Sequence, residues 1–240
     1  AGRLGNGGTL QPGFEGSALV SAFIASAIGF TTSVFLAGHA SLVLYAGAGL
    51  AFRSPTELPV YVLLGLVCGV TALFFAAVLR RVEGIFGAMQ RAPIWLRPAL
   101  GGIVAGAIAC AMPQVMDSQY RLVQNAFSGS LYSEPGPLPG WLGWGVLLAL
   151  VVVAKCVATA FSVGSGAAGG VLGPSVFVGG CVGASLAALS EGLAPGLLSR
   201  EVQMAMVPVG MAGVLSAAMR TPIAAMVMVM EMTGSFGLIV

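Results

Sequence analysis

The sequence predicts an all-α membrane protein, and three observations carry that prediction. Of 240 residues, 58% are hydrophobic and only 8% charged, against about 25% charged in an ordinary soluble domain. The few charges are also unevenly spread. Gly16 to Phe52, Pro135 to Ala154 and Cys156 to Ser190 contain no Asp, Glu, Lys or Arg, and a bilayer core takes roughly 20 apolar residues to cross. Third, the later apolar runs are interrupted by Gly and Pro, the pattern of tilted and broken helices. This composition excludes a disordered chain, a coiled coil, a disulfide-stapled secreted domain and a nucleic-acid-binding module. The net charge of +2 comes with no basic run suited to a polyanion and says nothing about partners; it is the composition that makes a lipid bilayer the expected partner and leaves out nucleic acid.

Taken in order, Ala1 to Gly16 is Gly-rich and has neither an initiator Met nor the charged-then-apolar order of a signal peptide. It is left unplaced, as the start of a chain cut from something longer, and residues 17–240 are read as one membrane domain. Ser17 to Gly38 is the first span. A weakly polar interval with the single histidine, His39, leads to a second apolar stretch that ends at Arg53. Val60 to Leu79 is a span closed by Arg80 and Arg81, and Pro98 to Met116 is one rich in Gly and Ala. Trp141 to Phe161 follows a Pro/Gly loop, Glu134 to Gly140, and carries Lys155. Val171 to Leu189, Gln203 to Met219 and Pro222 to Met232 complete the chain, the last too short to span at 1.5 Å per residue. Short, broken helices belong where their backbone ends line a cavity or are buried in protein. The connection Arg80 to Arg97 holds four arginines against Glu83 and is placed on the cytoplasmic side, so Asp117 to Gly140 is expected outside.

Candidate chemistry concentrates in Ser165-Gly-Ala-Ala-Gly-Gly-Val-Leu-Gly-Pro174, which leads into a helix starting near Val171. The first N–H groups of a helix lack partners within it, and the macrodipole adds about half a positive charge there. A glycine-rich turn before such a start makes an anion site of backbone, with the N–H groups of Val171 and Leu172, helped by Gly170 and Gly173, as donors. Ser165, Gly166, Gly169 and Pro174 shape the turn. The alternative is that these glycines serve close helix packing. Downstream, Gly210 to Ile223 ends one segment with Arg220 and starts the next with Pro222, so that two half-length helices abut.

Isolated polar residues have plainer readings. Glu231 is a cap or a partner for a nearby base, with proton relay as the alternative. Lys155 is a pairing or snorkelling base, with a contribution to local anion concentration as the alternative. Cys68, Cys110, Cys156 and Cys181 show no ligand spacing and read as small buried hydrophobes, so no metal site is expected. A serine protease would need a base beside Ser165, and His39 is the only histidine. No catalytic residue, enzyme activity or cofactor is therefore expected.

Ser165 to Pro174 resembles the motif of the CLC chloride channels and proton-coupled chloride transporters, where a serine-glycine run leads into Gly-Gly-Ile/Val-Phe-x-Pro at a helix start facing the central anion. Gly210 to Thr233 is similar to the family's following pair of helices, with Arg220, Pro222, Glu231, Met232 and Thr233 in the family's order. Weaker similarity runs back through Met112-Pro-Gln-Val and Phe14-Glu-Gly-Ser-Ala-Leu. The resemblance implies a partial CLC-type bundle of tilted and broken transmembrane helices. It further implies transport of chloride or a similar monovalent anion by a channel or chloride/proton antiporter, and a homodimer in a bacterial inner or other cell membrane.

This chain departs from the family in several places. Leu172 stands where the family has Phe, Gly173 where it has Ala or Val, and Met116-Asp-Ser-Gln-Tyr120 replaces a glycine-rich continuation. The chain resembles only the later part of the family's membrane domain. The serine motif, the gating glutamate, the internal proton-relay glutamate and the C-terminal tyrosine are absent. The expected partner is therefore the missing N-terminal half of the same protein, and the alternative reading is a truncated, non-transporting fragment.

Overall fold

The computed structural model describes residues 12–37, 58–89, 93, 95–117, 120–133, 142–196 and 198–234. The chain divides into two units, Ala1–Ser41 and Leu42–Val240. In the first unit, α1 (Pro12–Ala37) is a 26-residue helix, about 39 Å long. It covers the predicted span from Ser17, and Val20, Phe23, Ile24, Ile28, Phe35 and Leu36 are exposed on it. His39 and the apolar stretch ending at Arg53 lie outside the described residues.

The second unit is all-α among the described residues. Its helices are α2 (Leu58–Ala88), α3 (Leu96–Ala111), α4 (Arg121–Phe127), α5 (Leu142–Gly164), α6 (Leu172–Leu193), α7 (Arg200–Met219) and α8 (Pro222–Thr233), with 3-10 turns at Pro113–Met116 and Ser130–Ser133. Four of them, α2, α5, α6 and α7, are long and apolar enough to cross a membrane, whereas α3 and α8 are shorter apolar helices. By length and composition these helices mark an integral membrane protein, and their described residues present a large hydrophobic surface. Leu63, Leu66, Val70 and Leu73 on α2 and Ile103 on α3 are exposed large apolar side chains that would be untenable in water as one patch.

Boundaries differ from the sequence reading where charge was taken as a stop. α2 does not end at Leu79 but carries Arg80 and Arg81 within it as far as Ala88, because long basic side chains reach polar surroundings without breaking the helix. Arg97 at the start of α3 donates from Nη2 to the Met89 carbonyl at 2.7 Å, closing the connection between the two helices. At the far end, α3 stops at Ala111, and Pro113 opens a 3-10 turn in place of a continuing span.

The core centres on α6, packed between α5 and α7, with Phe177, Val178, Cys181 and Ala184 sealed from solvent. Its crossing with α7 brings backbone against backbone. A Cβ at Gly179 would run into the Gly210 carbonyl, and one at Gly183 into the Met206 carbonyl. Glycines at four-residue spacing permit that approach, since lipid supplies no hydrophobic drive between helices and packing must. Pro208 sits inside α7, where its missing N–H frees a carbonyl one turn earlier.

Part of the stretch after Asp117 packs into this core. Val123, Ala126 and Phe127 of α4 and Leu131 after it are buried, and Val123 lies against Gly180 of α6. Charge counting missed a sequence signal here: Val123, Phe127 and Leu131 recur every four residues, an apolar stripe on a helical face.

Candidate functional site

The site is assembled where α5 ends and α6 begins. Ser165 is buried and donates to the Ser162 carbonyl at 2.9 Å, finishing α5. Gly166 follows at φ 91°, a left-handed conformation that glycine adopts without strain, and its N–H bonds the Val163 carbonyl at 3.0 Å. These two residues reverse the chain. Gly169 and Gly170 are exposed, so nothing crowds the approach to the next helix.

Helix α6 begins without a side-chain cap. Its N-cap, Val171, has no side chain to offer the orphan donors, in contrast to Ser199, which accepts from Val202 N–H at the start of α7. Pro174 has no N–H, and the first backbone donor paired within the helix is Ser175, which bonds the Val171 carbonyl at 3.0 Å. Ser175 Oγ bonds the same carbonyl at 2.7 Å. The N–H groups of Val171, Leu172 and Gly173 are thus left at the helix start, where α6 carries its positive dipole end. Leu172 is 42% exposed, so the turn opens on a free side.

Antiparallel packing on α5 sets the depth of this helix start. Lys155 of α5 lies over the Phe177 ring, 4.9 Å from its centroid, and Ser185 Oγ of α6 donates to Gly145 of α5 at 2.8 Å. Counting 1.5 Å per residue from Lys155 and Phe177, Leu172 starts about 6 Å short of the end of α5. The open donors therefore lie alongside the last turns of α5, on the side that Gly169, Gly170 and Leu172 leave exposed. The start of α8 also has Pro222 and no side-chain cap at Thr221, and its first residues are exposed, as Gly169, Gly170 and Leu172 are at the start of α6.

Beside the helix start stands a polar group that the sequence did not bring together. Lys155 Nζ donates to the Val115 carbonyl at 2.5 Å, in the 3-10 turn that follows α3. Asp117 Oδ2 accepts from Leu122 N–H at 2.9 Å, and Tyr120 Oη donates to the Gly173 carbonyl at 3.3 Å. Tyr120 also packs against Phe177, with ring centroids 6.1 Å apart. An aromatic ring thus flanks the first turn of α6 although position 172 is Leu, and it comes from the departing segment Met116 to Tyr120. Its contact spans more than fifty residues of sequence, so no local spacing announced it.

Other candidates fall elsewhere. Glu231 is exposed on α8 and pairs with none of the described residues. α8 is closed instead by the left-handed Gly234, whose N–H bonds the Met230 carbonyl at 2.8 Å, and among the described residues Glu231 is neither a cap nor an ion-pair partner. Cys68, Cys156 and Cys181 are buried free thiols as expected, but Cys110 is exposed, because α3 lies at the edge of the bundle. Among the described residues no group of His, Cys, Asp and Glu is placed to hold a metal.

Comparison with known proteins identifies the architecture. The model of the family described as voltage gated chloride channel matches residues 9–240. A ClcB-like protein of Ralstonia nicotianae is 36% identical over 192 residues, 80% of this chain and 41% of that protein. The chloride channel protein CLC-f of Arabidopsis thaliana is 32% identical over 221 residues, 89% of this chain and 27% of that one. The voltage-gated ClC-type chloride channel ClcB of Salmonella typhimurium is 31% identical over 233 residues, 97% of this chain and 51% of that one. The chain spans about half or less of the length of these relatives. With the family model matched over nearly the whole chain and these identities over most of it, the chain belongs to the voltage gated chloride channel (CLC) family.

Proposed function

We propose that this chain forms one wall of a route by which chloride or a similar monovalent anion crosses a membrane, with the backbone N–H groups of Gly170, Val171, Leu172 and Gly173 as donors on that wall. The observation that carries this reading is the start of α6: it is uncapped and left with donors that no group among the described residues takes. An anion there gains several N–H bonds and the helix dipole from the backbone itself. The names of the relatives support chloride as the ion. Because those relatives are about twice this length or more, transport is proposed for the protein that also contains the region outside the match, working as a homodimer with one route per protomer. The bacterial relatives support an inner membrane, since helical spans suit that bilayer and outer membranes hold β-barrels.

The test compares chloride binding, by calorimetry, to two variants of the full-length protein. Leu172→Phe keeps the backbone donor and is expected to keep affinity. Leu172→Pro removes one donor at a position where proline fits the helix, and a lost charge-assisted bond costs about 1.5 to 3 kcal/mol, roughly ten- to a hundredfold in affinity. Because proline also disfavours the helical conformation of Val171 before it, thermal melting of both variants separates lost donors from lost structure. Unchanged affinity in Leu172→Pro moves the site elsewhere. Liposome flux recorded with chloride and proton electrodes together assigns the protein to channels or exchangers.

A further inference from the structure

Two described residues other than glycine have left-handed backbone, Tyr120 at φ 53° and Arg220 at φ 56°. Arg220 ends α7, and helices commonly close in that conformation. Tyr120 has no such explanation. It is the residue before α4 and its side chain makes no cap bond there, at a position where extended backbone is the rule. A bulky residue held in this region is strained, and strain persists only where the surroundings impose it.

The conformation carries the ring of Tyr120 onto α6. The ring rests on Phe177, and its hydroxyl reaches the Gly173 carbonyl at 3.3 Å. The hydroxyl comes close to Gly173 itself, where a Cβ would stand 3.4 Å from it, in ordinary contact. The footing of Tyr120 is fixed on both sides: Lys155 holds Val115, and Asp117 holds Leu122. Within the helix this turn is closed only through Ser175, whose N–H and Oγ both bond the Val171 carbonyl, and no side chain caps it at Val171. We propose that Tyr120 is a positioning residue, whose phenol braces the first turn of α6 through the Gly173 carbonyl and so sets the aim of the Leu172 and Gly173 N–H groups. This rests on the reading of those groups as anion donors.

The experiment uses Tyr120→Phe in the full-length protein, which keeps the ring and deletes only the hydroxyl. Chloride and nitrate affinities are measured by calorimetry, with thermal melting alongside and Leu172→Pro as the comparison. A brace that aims donors affects a spherical and a planar anion unequally. The expected result is a fall in chloride affinity of roughly three- to tenfold, the span of one neutral hydrogen bond, with a changed nitrate-to-chloride ratio and an unshifted melting point. The brace is overturned if both affinities hold, or if both fall in proportion as melting drops, which marks a merely structural bond. If Tyr120→Phe is silent while Leu172→Pro weakens binding, the brace alone fails; if Leu172→Pro is silent too, the anion site fails with it.

Discussion

The crossing of α6 and α7 makes Gly183→Ala the sharpest test of the packing. A Cβ at Gly183 would lie 2.7 Å from the Met206 carbonyl carbon and 3.0 Å from Val207 Cα, where carbon pairs settle at about 3.5 to 4.0 Å. Both obstacles are backbone, so no side chain can swing aside, and the helices must part by roughly 1 Å along the contact. Overpacking of this kind costs about 1 to 3 kcal/mol, and the rigid obstacle puts Gly183 at the upper end. Alanine's better helix propensity returns at most about 1 kcal/mol, leaving a net loss of about 2 kcal/mol. Gly84 on α2 is the control, because a Cβ there meets nothing within 4 Å, so Gly84→Ala keeps only the propensity gain. Thermal unfolding of the purified protein in detergent, followed by tryptophan fluorescence, reads both. Gly183→Ala is expected to melt roughly 4 to 8 °C lower and Gly84→Ala roughly 2 to 4 °C higher. If Gly183→Ala melts at or above the parent, the backbone contact between α6 and α7 is wrong.

Lys155→Met is expected to lose a charge-assisted bond to Val115 and the contact with Phe177, about 1.5 to 3 kcal/mol, whereas Lys155→Arg keeps a donor and most of the stability; melting points of the two distinguish a clamp from an idle charge. The homodimer is expected to use α2 and α3 together with Met226, Met228 and Met230 of α8. Gly102 and Gly106 are open on α3 while Gly101 is already covered by Phe161 and Ser165. Mass photometry of the full-length protein in mild detergent should therefore give dimers, and a Gly106→Trp variant should shift them toward monomer; monomers from the parent would end this reading.

The helices and the start of α6 were legible because both are local. An uninterrupted apolar run must satisfy its backbone internally, and a glycine-rich turn before Val171 marks a helix beginning whatever lies around it. The abutting α7 and α8 were equally plain from Arg220 and Pro222. What the sequence could not show is which apolar face meets protein and which meets lipid. In water the polar side of a helix reveals the answer, but α2 and α6 are apolar on all sides, so periodicity carries no direction. Charge misled at one point, where Arg80 and Arg81 were taken as a stop although α2 runs on through them.

By itself, then, the sequence determined that the chain lies in a membrane as helices, where α6 starts, and to which family its motifs belong. Only the tertiary structure decided that α4 packs into the core against Gly180, that Lys155 holds Val115, and that Tyr120 reaches Gly173. These are contacts between residues 40 to 60 positions apart, made of single carbonyls and one strained backbone angle. Residue type and spacing report local conformation and burial, whereas a hydrogen bond to a main-chain oxygen is available at every position and is chosen only when two elements have docked.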